Sequence, residues 1–236
     1  MKKRWKTVLG LGLVAGGALA LALPTSRLIL FGLLSGESTY RGRPTRYWTH
    51  ALSSPSSAGE AVAVLKTGGA KAVPMLIEAL ADADLQARYA AAEALGAIGP
   101  DAVAALVEAL QSGDPLVRTG AARALALIGP EARTALPALS ATLHDDTTLV
   151  AVMAATALGR IGKDAVPVLS QALEEQKAVT VRRTVLEALR RLGPEAAEAV
   201  PVLLKICNDI DDPVYDLAAE TLKKVDAAAA ARLIIP

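Results

Sequence analysis

The chain is poor in the residues that carry chemistry. A single cysteine, Cys207, rules out an intrachain disulfide. The only histidines are His50 and His144, so there is no cysteine–histidine cluster for zinc. No Gly-Lys-Ser/Thr phosphate loop and no Gly-x-Ser-x-Gly nucleophile elbow occurs. Aromatic residues make up 3% of the 236 positions, which leaves few of the anchors that binding hot spots favour. Net charge is only +1, and the part of the chain beyond residue 57 is net acidic, which argues against a phosphate backbone as the main ligand. From these absences we expect no catalytic residues, no cofactor, no metal and no nucleic-acid partner.

The near-zero charge conceals a separation. Residues 1–57 hold eight Lys/Arg and one Glu (+7), whereas residues 58–236 hold seventeen Lys/Arg and twenty-three Asp/Glu (−6). The basic part also holds Trp5, Phe31, Tyr40, Tyr47 and Trp48, five of the seven aromatics.

What the chain has in quantity is a repeated phrase. Ile98-Gly99, Ile128-Gly129, Ile161-Gly162 and Leu192-Gly193 place glycines 30, 33 and 31 residues apart. Weaker copies stand at Gly68-Gly69 and Val225-Asp226. A fixed period near thirty marks stacked structural units. Within a unit, apolar residues recur at helical spacing twice: Val73, Leu76, Ile77 and Leu80, then Leu85, Ala91, Ala92, Leu95 and Ile98. The glycines suit helix ends, and Pro100, Pro130 and Pro194 after them suit the first turn of the next helix. Asp84, Asp114 and Asp211 are N-cap types just before the second helix of their units. Each unit reads as two helices of about 12–14 residues, marginal alone. They are stable only when their apolar stripes are covered by the next unit.

The IGP-type unit ends, the Val-Pro openings at Val73-Pro74, Val166-Pro167 and Val200-Pro201, and the arginine early in the second helix resemble HEAT repeats. The short form found in phycobilisome-lyase-type HEAT-like proteins is the most similar. The resemblance covers residues 58–226 and implies an all-α fold, an α-solenoid of about five hairpins. It implies nothing specific about function. Lyase chemistry does not follow, because no residue set matches a bilin-handling site. Nor does the di-iron chemistry of some HEAT-repeat enzymes, because the chain contains no His-Glu pair.

The division expected from these signals is a membrane anchor or signal segment at 1–35, and a juxtamembrane segment with a partial cap at 36–57. The repeat domain follows at 58–226, with a C-terminal capping helix at 227–236. Lys2, Lys3, Arg4 and Lys6 precede an uncharged run from Thr7 to Ser26. The seventeen residues Thr7–Leu23 would form about 26 Å of helix, just enough for a span. An uncleaved anchor is favoured because the apolar run resumes at Leu28; the alternative is secretion after cleavage near Ala20-Leu21-Ala22. The positive cluster directs the amino terminus to the cytoplasm and the repeats outside it. Tyr40-Arg41-Gly42-Arg43-Pro44 with Trp48 resembles the juxtamembrane stretch of bacterial HEAT-like proteins. Trp48 is expected in the core of the cap, and Cys207, level with Leu80, Leu110, Leu143 and Leu173, in the core of unit five.

Two sets of polar residues repeat. Arg88, Arg118 and Arg182 fill one slot, with Asp84 and Asp114 four residues before the first two. We expect these to form a structural ladder between repeats. A second slot (Glu93, Arg123, Thr156, Glu187, Glu220) would set Glu93 beside Arg123. The candidate partner face is basic: Arg160, Arg182, Arg183, Arg190 and Arg191, on second helices, which line the concave side of such arrays. The reading that follows is a noncatalytic, membrane-tethered scaffold with a monomeric repeat domain, binding a protein partner through an acidic segment. The alternatives are an accessory subunit of an enzyme, as in lyase-type relatives, or a module resting on anionic lipid through Arg41, Arg43 and Arg46.

Overall fold

The computed structural model of the chain describes residues 24–54 and 56–232. The run from Thr7 to Leu23, on which the anchor and signal readings rest, lies outside the described residues, as do residues 233–236.

Helix α1 (Pro24–Leu34) leads into a two-stranded antiparallel ladder, β1 (Thr39–Tyr40) and β2 (Arg43–Pro44). Helices α2 (Thr45–Ser53) and α3 (Ala58–Lys66) follow. Five hairpins then repeat. They are α4 (Val73–Ala79) with α5 (Leu85–Ile98), α6 (Val103–Ala109) with α7 (Pro115–Ile128), and α8 (Leu136–Thr142) with α9 (Thr148–Ile161). The last two are α10 (Val166–Glu175) with α11 (Val179–Leu192), and α12 (Val200–Cys207) with α13 (Tyr215–Val225). A short α14 (Ala227–Ala230) ends the described chain.

The glycine punctuation has a backbone cause. Gly99, Gly129, Gly162 and Gly193 take φ of 79°, 71°, 105° and 58°, a region that side chains disfavour. The chain then makes a tight 3₁₀ turn, as at Gly99–Ala102 and Gly129–Ala135, before the next α-helix begins. The first helices are therefore shorter than the 12–14 residues expected. They run for 7 to 10 residues, because the Pro-bearing segment after each glycine winds as 3₁₀ helix. Four of the second helices reach 14 residues, and the fifth has 11.

Second helices stack in chain order, α5 on α7, α7 on α9, α9 on α11 and α11 on α13, while α2 and α3 cover α5. Each unit makes its extensive contacts with its immediate neighbours, as a solenoid requires. One continuous core runs through Leu65, Leu95, Leu125, Leu158, Leu189 and Leu222, all fully buried. Each such leucine contributes roughly 1.5–3 kcal/mol. Alanines at the helix contacts (Ala91, Ala121, Ala154, Ala188) are also fully buried and let the backbones come close.

The cap contains a feature outside the all-α expectation, the β1–β2 ladder. Arg41 and Gly42 form its two-residue turn with φ of 52° and 69°, the left-handed pair of a type I′ hairpin. Trp48 is buried and its indole N–H donates to the Tyr40 carbonyl at 3.2 Å. Glu78 of α4 accepts from the Ser38 backbone N–H at 3.1 Å and from the Thr45 hydroxyl at 2.6 Å. These bonds fasten the hairpin to the first repeat. At the other end α14 is a single helical turn, Ala227–Ala230, at the start of the capping helix expected over 227–236, whose last residues lie outside the described residues.

Candidate partner-binding face

Each second helix begins from a polar turn, and that turn decides what the ladder residues do. Asp84 accepts from the backbone N–H groups of Gln86 and Ala87 at 2.7 and 3.0 Å, and Asp114 from that of Leu116 at 2.8 Å. Both carboxylates are N-caps of their own helices. They do not serve as the inter-repeat acids that the sequence spacing suggests, because four free N–H groups at the helix start are closer partners.

The acids that bridge repeats stand two residues before the cap. Asp145 accepts from the Thr147 N–H at 2.8 Å and Asp212 from the Val214 N–H at 2.9 Å, which folds the turn and aims the second carboxylate oxygen backwards along the stack. Arg118 of the preceding unit meets Asp145 with two bonds, Nε to Oδ2 at 2.7 Å and Nη2 to Oδ1 at 3.0 Å. Arg182 also meets Asp212 with two bonds, but end-on, Nη1 to Oδ1 at 3.0 Å and Nη2 to Oδ2 at 2.7 Å. Both pairs are largely shielded, with side-chain exposures between 11% and 16%. Two parallel charge-assisted bonds fix orientation as well as distance. Hydrogen bonding to Arg118 holds the Asp145 carboxyl below its usual range. Burial alone would raise Asp212, but the bonds from Arg182 and the Val214 N–H, with the arginine charge, outweigh it and hold that carboxyl low too.

Arg88 occupies the same slot without such a partner. The next unit offers Ser112 at the acid position, and Arg88 donates instead to the carbonyls of Asp82 and Ala83 in its own turn, at 2.7 and 3.0 Å. In unit three the slot holds Ala151, and Gln176 reaches back to the Leu143 carbonyl at 2.8 Å. Sequence reasoning missed Asp145 and Asp212; the available signal was their position two residues before the cap of the second helix.

Of the five arginines of the candidate face, Arg182 is thus committed to the stack. Arg190 pairs with Glu220 at 3.1 Å on the exposed surface, where such a pair contributes little. Arg160, Arg183 and Arg191 are exposed and engage no carboxylate among the described residues. Leu127, exposed at 51%, holds on α7 the place two residues before the terminal glycine that Arg160 and Arg191 hold on α9 and α11, whereas Leu149, exposed at 56%, lies at the other end of α9. Glu93 and Arg123 form no ion pair among the described residues. Arg123 lies 4.6 Å from the Tyr89 ring centroid, stacking across the unit one–two junction.

The remaining polar candidates are accounted for locally. His144 sits in an exposed turn between Gln176 and Glu175, at 3.1 and 3.4 Å. Cys207 is buried, and burial pushes its thiol up, away from the reactive thiolate.

The match to a known family agrees with this architecture. The family model for HEAT repeats matches residues 48–126, 73–151 and 136–223, together about three quarters of the chain. A comparison with curated proteins finds no match. Among solved structures, an engineered protein is 25% identical, with a TM-score of 0.44, over 78% of this chain and 96% of its own. The complex of CpcE and CpcF of phycocyanin lyase from Nostoc sp. PCC7120 is 22% identical, with a TM-score of 0.46, over 61% and 96%. A computationally designed armadillo repeat protein for modular peptide recognition is 18% identical, with a TM-score of 0.44, over 75% and 98%.

Proposed function

Because the chain belongs to the HEAT-repeat family, we propose that it is a noncatalytic scaffold that offers its second-helix face to a partner protein, with the repeats held near a membrane by residues 1–35. The observation that carries this reading is the uncommitted charge on α9 and α11. Arg160, Arg183 and Arg191 are exposed and engage no carboxylate among the described residues, and Arg160 and Arg191 continue along the stack the row that begins with the exposed Leu127. A guanidinium with no acid of its own, beside apolar surface, suits a segment that brings both acid and apolar side chains. The repeat domain as a whole is acidic, so this local basic strip also sets direction: it attracts an acidic segment that the rest of the surface repels. The membrane placement rests on the sequence, on the basic cluster at Lys2–Lys6 followed by the apolar run to Leu23, and it puts the repeats outside the cytoplasm.

The test is proximity labelling in the native cell with the full chain, comparing it with a variant carrying Arg160→Glu, Arg183→Glu and Arg191→Glu. We expect the labelled partner to be lost while helical circular dichroism is unchanged. Undiminished labelling places the binding face elsewhere.

A further inference from the structure

The cap holds a second basic site, unrelated to the face on α9 and α11. Arg41 and Arg43 flank a cleft of about 300 Å³ whose wall includes Tyr47, Trp48 and Glu60. The Arg43 guanidinium lies 4.3 Å from the Tyr47 ring centroid and 5.9 Å from that of Trp48, and it donates to the Tyr47 hydroxyl. Stacking holds the guanidinium plane in place and leaves its other N–H groups to face the cleft. Arg41 lies 5.5 Å from the Tyr40 centroid. Neither arginine pairs with a carboxylate among the described residues, so two cations face the one carboxylate of Glu60. Arg46, close by in sequence, is different: Glu37 accepts its guanidinium at 2.8 Å and its backbone N–H at 2.9 Å.

Arg41 also occupies a position that chemistry alone would give to another residue. At φ 52° it is the only non-glycine residue with positive φ among the described residues. The first place of a type I′ turn favours Asn, Asp or Gly. A long cation kept there, on a hairpin that Glu78 and Trp48 hold rigid, points to a role for its charge.

We propose that this cleft binds a phosphate group, presented by anionic phospholipid at the membrane surface. Paired guanidiniums match the geometry of phosphate oxygens. The cleft lies at the end of the molecule that adjoins the apolar sequence. Gly32 of α1 abuts Pro44 of the hairpin, and α1 exposes Leu30, Phe31, Leu33 and Leu34 directly after the uncharged run from residue 7. Apolar side chains next to paired arginines are the arrangement that meets acyl chains and headgroups together. The lipid source rests on the membrane tether proposed above; the phosphate chemistry does not.

The experiment titrates the full chain in neutral detergent with short-chain phosphatidylglycerol, short-chain phosphatidylcholine, inorganic phosphate and a glutamate-rich peptide, read by calorimetry. We expect saturable binding of phosphatidylglycerol, weakened at least tenfold by Arg41→Ala or Arg43→Ala, with helical circular dichroism retained. Arg46→Ala should change it by less than threefold. Equal affinity for inorganic phosphate keeps the site and assigns it to soluble phosphate. Three results overturn the proposal: no saturable binding of either, equal loss with Arg46→Ala (diffuse surface charge), or tighter capture of an acidic peptide. None of these bears on the face at Arg160, Arg183 and Arg191, whose test uses other residues.

Discussion

Adjacent units of this solenoid are joined in two different ways. Between units two and three, and between four and five, a shielded arginine grips a turn aspartate with two bonds, Arg118 to Asp145 and Arg182 to Asp212. Between units one and two, and between three and four, no such pair occurs among the described residues. There a glycine in the last turn of the second helix admits the neighbouring helix instead. A Cβ on Gly96 would lie 2.6 Å from the Leu127 Cβ, and one on Gly159 would lie 2.4 Å from the Ala188 Cβ. Units two and four carry Ala126 and Arg190 at the position of those glycines. The thirty-residue period therefore hides an alternation among the described residues: the junctions with a clamp lack the glycine three residues before the unit's terminal glycine, and the junctions with that glycine lack the clamp. The shared core sets the stacking, and these two devices join the pairs of units in different ways.

The contact at Gly159 is the one whose loss should matter most. The nearest obstacle to a Cβ there is Ala188, whose own Cα is only 3.3 Å away, so relief requires moving a backbone. Gly159→Ala should destabilise the chain by about 3 kcal/mol, at the upper end of overpacking effects, despite the better helix propensity of alanine. The readout is the urea midpoint, and Ala188→Gly in the same chain should recover most of it. An unchanged midpoint means the close approach is not what joins units three and four.

Breaking a clamp should have a smaller effect. Arg182→Ala leaves Asp212 shielded with only the Val214 N–H to accept from, which should lower stability by about 1–3 kcal/mol. Acid should do the same to both clamps at once. The folded-state carboxyls of Asp145 and Asp212 are held low, so the stability they contribute is complete above the usual carboxylate value near pH 4 and disappears as pH falls through their lowered values. Urea midpoints between pH 7 and pH 3 should fall more steeply for the native chain than for a chain carrying Asp145→Asn and Asp212→Asn. Parallel slopes exclude the clamps as the acid-sensitive element.

How these joints escaped the sequence is instructive. The repeat, its glycine stops and the N-caps Asp84 and Asp114 are local signals, set by backbone geometry within a few residues, and they could be read directly. The clamp partners are 27 and 30 residues apart, and that difference arises because α13 is three residues shorter than the other second helices. Units aligned on their terminal glycines put Asp145 and Asp212 out of register, so the repeated slot does not show. The β1–β2 hairpin escaped because two residues per strand give no alternation to detect. On the candidate face, the sequence shows five arginines but not which are committed. Arg182 and Arg183 are neighbours in sequence, yet one faces the stack and the other solvent.

The smallest effect is also the most specific to the comparison. Junction one–two already has the arginine of a clamp. Arg88 lacks only an acid, because the next unit places Ser112 where Asp145 and Asp212 stand, and the Ser112 hydroxyl makes the same turn bond to Asp114 N–H at 3.2 Å. Ser112→Asp keeps that bond and adds a carboxylate oxygen facing Arg88. The arginine must then give up one of its bonds to the carbonyls of Asp82 and Ala83 or share its donors, as Arg118 does with the carbonyls of Ser112 and Gly113. The gain is the difference between two sets of hydrogen bonds, about 0.5–1 kcal/mol. It should appear as a higher urea midpoint at pH 7 that vanishes at pH 3, and should be absent when Arg88→Ala is present in the same chain. A gain that survives Arg88→Ala would trace to the turn rather than to a third clamp.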